Sequence, residues 1–236
     1  MTQTDCTSFP LDINIDSFTN AVYLAALLAS LPENRTAFRK SDLYKIRVTP
    51  TDEATNHLIN KLLNNNIIHT NKSSYKINFE NNKYSLKELL ENITLIAEEN
   101  LDIGNSLGEA ILIFECMEFI KVSLKIKEEI QLSVDDLKKI KEIIRFYPLS
   151  VLLMFIWRGL QSFDRSDARL ALASNHYSSP IELIISKAHY YFIQHKLYGK
   201  EPKKFIRPSN YKESVLTKLF FRYALDIQDY FNEYIV

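Results

Sequence analysis

Glycine is scarce, with four in 236 residues. That excludes the glycine-rich loops that cradle phosphates, and neither Gly-x-Gly-x-x-Gly nor a Walker-type loop occurs. It also argues against a glycine-rich β architecture. Cysteine is as thin: Cys6 lies in a polar leader and Cys116 in an apolar stretch. Two such residues make no disulfide framework, and reduced thiols in a cytoplasmic protein are the simplest reading. Long hydrophobic runs are missing too. Val151–Trp157 stops at Arg158, far short of the roughly 20 residues that span a bilayer. The N-terminus has no basic region followed by an apolar core, so no signal peptide is expected. Net charge is zero, which speaks against a chain that coats nucleic acid indiscriminately.

Metal and catalytic signatures are equally sparse. The histidines are His57, His69, His176, His189 and His195. None pair at i, i+4, and no Cys-x-x-Cys or His-Glu-x-x-His spacing exists, so no metal site and no cofactor are expected. Asp164-Arg165-Ser166-Asp167 reads as a cap before a helix starting near Ala168 rather than a catalytic carboxylate pair. His189 and His195, in an aromatic helix, read as packing or surface residues. The expectation is a protein that is not an enzyme.

What the chain does have is aromatic residues and helical periodicity. Fourteen Phe and thirteen Tyr supply a sizeable core. Residues 1–16 are a polar, loosely held leader. Phe18, Val22, Ala25, Ala26 and Leu28 predict a helix over 17–30 that ends before Pro32. Residues 33–40 read as a loop. Leu43, Tyr44 and Ile46 fit a short helix capped by Ser41. Thr49-Pro50-Thr51-Asp52 is a strong helix start, opening a helix to about Asn65. At 100° per residue, Ala54, Leu58, Ile59 and Leu62 share one side. Glu53, His57, Asn60 and Asn64 share the other, with Asn56 and Lys61 at its edges. Ile67–Thr70 and Ser74–Phe79 then read as two strands around Asn71-Lys72-Ser73.

This order of elements resembles the winged helix-turn-helix superfamily over residues 17–84, about a third of the chain. The carrying pattern is an apolar helix end, Asn65-Asn66, Ile67-Ile68, a polar turn, then Tyr75-Lys76-Ile77. The resemblance implies that Asn56, His57, Asn60 and Lys61 face a DNA groove, where an Asn amide can bond two base-edge atoms. It implies that Lys72, Ser73, Ser74 and Lys76 of the wing reach backbone or minor groove. Arg35, Arg39, Lys40, Lys45 and Arg47 would add phosphate contacts that position without reading sequence. Asp52 and Glu53 suit the helix dipole, yet bring the wrong sign toward phosphate.

Beyond residue 84 every element reads as a helix. Ser85-Leu86-Lys87-Glu88 is a capping box that opens a helix to about Asn100. Gly104 and Gly108 punctuate a link before a helix over about 106–123. Ser133-Val134-Asp135-Asp136 starts another, which stops near Pro148. Residues 149–162 form a buried helix, Ser179-Pro180 opens one ending at Gly199, and a last helix runs from about Asn210 to the C-terminus. Its stripe of Val215, Leu219, Phe220, Tyr223, Ala224, Ile227, Tyr230, Phe231 and Tyr234 reads as core, or else as a dimer surface. Arg158 is expected to snorkel out or to pair with Asp164. In 196–211, Lys196, Lys200, Lys203, Lys204 and Arg207 alternate with Tyr198, Phe205 and Tyr211. That is a second basic patch or a basic loop with packing aromatics.

The expected fold is mainly α: an N-terminal winged helix (three helices plus a β-hairpin, 17–84) followed by an all-helical C-terminal domain (85–236). The expected function is a non-enzymatic DNA-binding protein, a regulator or an accessory of DNA-processing or defence machinery. A homodimer is expected because paired half-sites call for one. The acidic middle of the chain, with Glu98, Glu99, Glu109, Glu115 and Glu118, suits an adaptor that docks onto an ATPase complex instead. A ligand-sensing regulator is the third reading.

Overall fold

A computed structural model describes residues 15–32, 36–78, 85–126, 130–163, 177–199, 201–207 and 211–233. The chain is mainly helical, with one small antiparallel sheet. In order come α1 (Ile15–Ser30), β1 (Ala37–Phe38), α2 (Lys40–Ile46), α3 (Asp52–Asn64), β2 (Ile68–Asn71) and β3 (Ser74–Ile77). Then follow α4 (Leu86–Glu99), α5 (Leu101–Leu124), α6 (Val134–Phe146), α7 (Leu149–Phe163), α8 (Pro180–Tyr198) and α9 (Val215–Leu219), which widens into a π-helical turn, Phe220–Ala224.

Side-chain caps set most helix starts. The Thr51 hydroxyl accepts the Ala54 N–H at 3.0 Å. Ser85 with Glu88 and Ser133 with Asp136 form reciprocal capping boxes, satisfying N–H groups that have no partner within the helix. Ser179 caps α8 with Pro180 in its first turn, and Gly199 ends it at φ 61°, a left-handed position open to glycine at little strain. The short α2 begins one residue before the expected Ser41 cap. Its N-cap position is Arg39, whose backbone N–H donates to Asp42 at 3.2 Å.

Three expectations are corrected. Residues 33–40 are not all loop, because Ala37–Phe38 pairs with Tyr75 and Lys76 of β3 and gives the strand order β1-β3-β2. Gly104 and Gly108 do not punctuate a link: both are buried inside α5, which already starts at Leu101. The last helix does not reach the C-terminus, since the α-helical turns end at Leu219 and Asp226 adopts φ 51°. Within the expected stripe Tyr223 is exposed, while Leu216 and Phe221, outside it, are buried.

One continuous hydrophobic core holds these elements. α7 is buried almost all round, from Leu149 through Ile156, and packs most extensively on α8. A Cβ at Gly159 would lie 2.4 Å from the Ile184 carbonyl oxygen, so only glycine lets the two helices approach this closely. α1 packs on α4, α9 and α3, with the Phe18 ring edge-on to Phe220 at 6.3 Å. The buried core therefore runs past position 84 without a seam, and the C-terminal turn closes on the first helix.

Candidate nucleic-acid interface

α3 is seated by a knot of buried threonines. Thr49 and Thr55 share a hydroxyl hydrogen bond at 2.7 Å, and both hydroxyls lie near the Thr51 carbonyl. Ala54, Thr55, Leu58, Ile59 and Leu62 are buried beneath the helix, as its periodicity predicts. The outer face is divided. Asn60 and Asn64 are exposed. Asn56 accepts a hydrogen bond from the Tyr44 hydroxyl at 2.7 Å. His57 meets the Tyr23 ring edge-on at 6.1 Å, and burial, then the Lys61 charge, hold its pKa below the usual imidazole range. Lys61 is bound to Asp16 at 2.7 Å.

The reason for this division is α5, which flanks α3 across a groove of about 290 Å³. Asp16, Tyr23, His57, Lys61, Ser106 and Phe114 are among its walls. At one end of α3, Lys121 of α5 donates to Glu53 at 3.1 Å, with both side chains largely covered. Of the four residues expected to face a groove in DNA, Asn60 alone is both exposed and clear of these contacts.

The hairpin presents one polar and one apolar face. Register places Ala37, Lys76 and His69 side by side, and Phe38, Tyr75 and Thr70 side by side. Phe38 and Tyr75 stack at 5.6 Å, and Ile68 and Ile77 are buried on that same side. His69, Lys72, Ser73 and Lys76 are exposed, while Ser74 is half-buried and donates to the Asn71 carbonyl at 2.9 Å. Lys72 turns the chain at φ 54°.

The expected phosphate-contacting cations separate as well. Arg39 and Lys45 are exposed, and Lys40 lies over the Tyr44 ring at 5.7 Å. Arg35 lies outside the described residues. Arg47 is no surface cation. It ends α2 at φ 58°, pairs with Glu118 at 3.6 Å and stacks over Tyr211 at 5.1 Å. Its carbonyl accepts the Val215 N–H at 3.1 Å, and the Val48 carbonyl accepts the Leu216 N–H at 2.8 Å.

Arg47 thus belongs to a polar junction that the expected site lacked. Its centre is Glu115 of α5, fully buried. The carboxylate accepts from the Tyr211 hydroxyl and, at 2.6 Å, from Thr217. Burial pushes its pKa up, against the pull of those two hydrogen bonds and of Arg47 and Arg207. The Tyr211 hydroxyl is raised well above its ordinary value by burial and by the Glu115 charge. The one signal in the chain was a pair of acidic residues, Glu115 and Glu118, within the otherwise apolar run Ile111–Ile120, read there as part of an acidic surface.

Of the two readings of residues 196–211, a second basic patch or a basic loop with packing aromatics, the contacts of Arg207 fit the loop. Arg207 donates to the Tyr230 hydroxyl at 2.7 Å, covers the Phe231 ring at 4.4 Å and faces Glu213 at 3.8 Å. Lys204 donates to the Asn232 carbonyl at 3.2 Å, Lys203 is exposed, and Lys200 lies outside the described residues. Arg158 finds His195 at 3.2 Å and the Tyr191 ring at 5.6 Å; its expected partner Asp164, and the helix start near Ala168, also lie outside the described residues. His189 bonds Glu142 at 2.8 Å. Cys116 is buried, with its thiol pushed up to about 12 by burial.

Among the described residues, no helix is long and apolar enough to cross a membrane, and no three His, Cys, Asp or Glu side chains group as a metal site would require. No known protein family matches the chain, and neither does any curated protein or solved structure.

Proposed function

We propose that the protein is a non-enzymatic, DNA-binding winged-helix protein, acting as a regulator or as an accessory of DNA-processing machinery. The observation that carries this reading is β1. A strand between the first two helices completes a sheet of order β1-β3-β2 around the hairpin, the connectivity a winged helix requires, and it came from a stretch that reads as a loop. The contact surface differs from the one first expected. Asn60 and Asn64 of α3 supply the groove contacts, because α5 and Asp16 occupy the His57 and Lys61 side. Lys72 and Lys76 of the hairpin, both exposed, supply backbone contacts.

A mobility shift with random duplex DNA across a salt series tests this. Binding is expected, and log affinity is expected to fall linearly with log salt. Asn60→Ala with Asn64→Ala should weaken it with an unchanged melting temperature. No shift at low salt ends the reading.

A second reading is the adaptor that docks onto an ATPase complex. The closed Glu53–Lys121 bridge favours it, because it ties α3 to α5 and narrows access to a helix that DNA readers leave open. Co-purification with a large ATPase, together with no salt-dependent shift, would decide for it.

A further inference from the structure

We infer that the cleft at the N-terminal end of α3 binds a phosphate-bearing ligand. The cleft is open, about 460 Å³ in volume, within the range of small-molecule sites. Five cationic side chains line it: Lys45 and Arg47 from α2 and its cap, Lys121 and Lys125 from α5 and its end, and Lys212 from the segment before α9. Two carboxylates, Asp52 and Glu118, line it with them, and Glu53 holds Lys121 from just outside the lining, which leaves an excess of two positive charges. These cations come from three stretches of chain far apart in sequence, so no local helix-face pattern explains their meeting.

Their pairing sharpens the point. Lys121 is engaged by Glu53, and Glu118 sits 3.6 Å from Arg47. Lys45, Lys125 and Lys212 are exposed and have no carboxylate within salt-bridge distance among the described residues. Three ammonium groups without a carboxylate partner around one cavity give it a positive potential that favours a polyanion. The Nε and Nη2 of Arg47 are buried without a hydrogen-bond acceptor, an uncommon condition for a guanidinium. The start of α3, represented in the lining by Asp52 and Thr55 with Thr49 and Pro50 just before the Thr51 cap, adds the positive end of a 13-residue helix. Asp52 sits exposed beside it and limits the site to a ligand that outcompetes one carboxylate. A polyphosphate does so through several oxygens at once.

Two of its cations, Lys45 and Arg47, were expected to meet DNA phosphates, but the site goes beyond that reading, since none of its residues lies on the Asn60–Asn64 stripe or on the hairpin. The phosphate could be supplied by a free nucleotide or by a nucleic-acid backbone, and the two are distinguished by experiment. Calorimetric titration of the full chain with inorganic tripolyphosphate at low salt should give saturable binding at one site. Lys125→Glu with Lys212→Glu should weaken it at least tenfold. Lys87→Glu with Lys203→Glu, an equal charge change at exposed positions outside the cleft, should leave it within twofold. If the charge reversals lower the melting temperature, Lys125→Gln with Lys212→Gln gives the same readout without a reversed charge. Tighter binding of adenosine triphosphate than of tripolyphosphate assigns the phosphate to a nucleotide. Displacement of tripolyphosphate by a 20-base-pair duplex assigns it to a nucleic-acid backbone. No saturable binding, equal affinity in the cleft variants, or equal weakening in the charge-matched control overturns the inference.

Discussion

The outer stripe of α3 and the Glu115 junction are both polar, and both lie against the same apolar core. They differ in what covers them. Asn60 and Asn64 carry neutral amides into solvent, where water satisfies them at no cost to the fold. Glu115 is covered completely, and its carboxylate depends on Tyr211 and Thr217. Those two residues sit at either end of the segment that returns the C-terminus to α2 and α3, through the Val215 and Leu216 N–H groups. A solvated polar stripe is available for binding and nearly irrelevant to stability. A buried polar tie is the reverse: removing one member strands the others.

The strongest way to break this comparison is Glu115→Ala. It leaves the Tyr211 hydroxyl only the backbone carbonyl of residue 115, at 2.9 Å, and the Thr217 hydroxyl only the hydroxyl of Ser214, and it opens a cavity, so the expected loss is about 2–5 kcal/mol. At about 2–4 °C per kcal/mol for a chain of this length, thermal melting would register it plainly. Melting as stable as the native chain would mean that the junction is not closed. The pH dependence provides a second check on the same residue. Burial raises the folded pKa of Glu115, so the folded state holds this proton more tightly than the unfolded one. Its favourable contribution is fully present below the unfolded carboxyl value and is lost as pH rises toward the raised folded value. Glu115→Gln does not titrate. Chemical denaturation from pH 4 to pH 8 should therefore show the native chain losing stability relative to Glu115→Gln. A difference that is constant across that range would rule out the buried-carboxyl account.

Thr217→Val sharpens the comparison at a smaller scale. Shape is nearly kept, but the hydroxyl that donates to Glu115 at 2.6 Å and lies 2.6 Å from the Ser214 hydroxyl is gone. About 1–3 kcal/mol should be lost, measured by urea unfolding with an unchanged slope. The Asn60 and Asn64 substitutions described above should show the opposite profile, with stability held within about 0.5 kcal/mol and DNA binding reduced. If instead those two change stability as much as Thr217→Val does, the stripe is packed rather than presented.

How far each region was legible follows from the same contrast. The α3 helix was readable because its cap and its apolar spacing are local signals, and Thr51, Leu58 and Leu62 sit where those signals place them. β1 was not, since two residues carry no periodicity and Ala37–Phe38 becomes a strand only through Tyr75 and Lys76. Gly104 and Gly108 read as breaks, yet in α5 they are buried, and Leu225 lies 3.3 Å from where a Gly104 side chain would begin. The sequence discloses charge at Arg47 and Arg207 but not its partners. Both guanidinium groups rest on aromatic rings, Tyr211 in one case and Tyr230 and Phe231 in the other, contributed from up to 164 positions along the chain. Long-range partners of that kind leave no local trace.

The smallest expected effect lies at the tip of the hairpin, the extreme of the solvated region. Lys72 is exposed and adopts φ 54°, where a side chain with a Cβ is strained and glycine is not. Lys72→Gly relieves that strain but also loosens the unfolded chain, so the two effects oppose each other. With no packing to lose, the net change should be a gain of about 0.5 kcal/mol, read by urea unfolding. Affinity for duplex DNA should fall in the same variant, and the salt slope should flatten by about one if Lys72 meets a phosphate. An increase in stability with an unaltered salt slope would keep the hairpin geometry and remove the wing from the binding surface. Such a result would leave α3 alone to carry the contact, and separate the fold of this region from the role proposed for it.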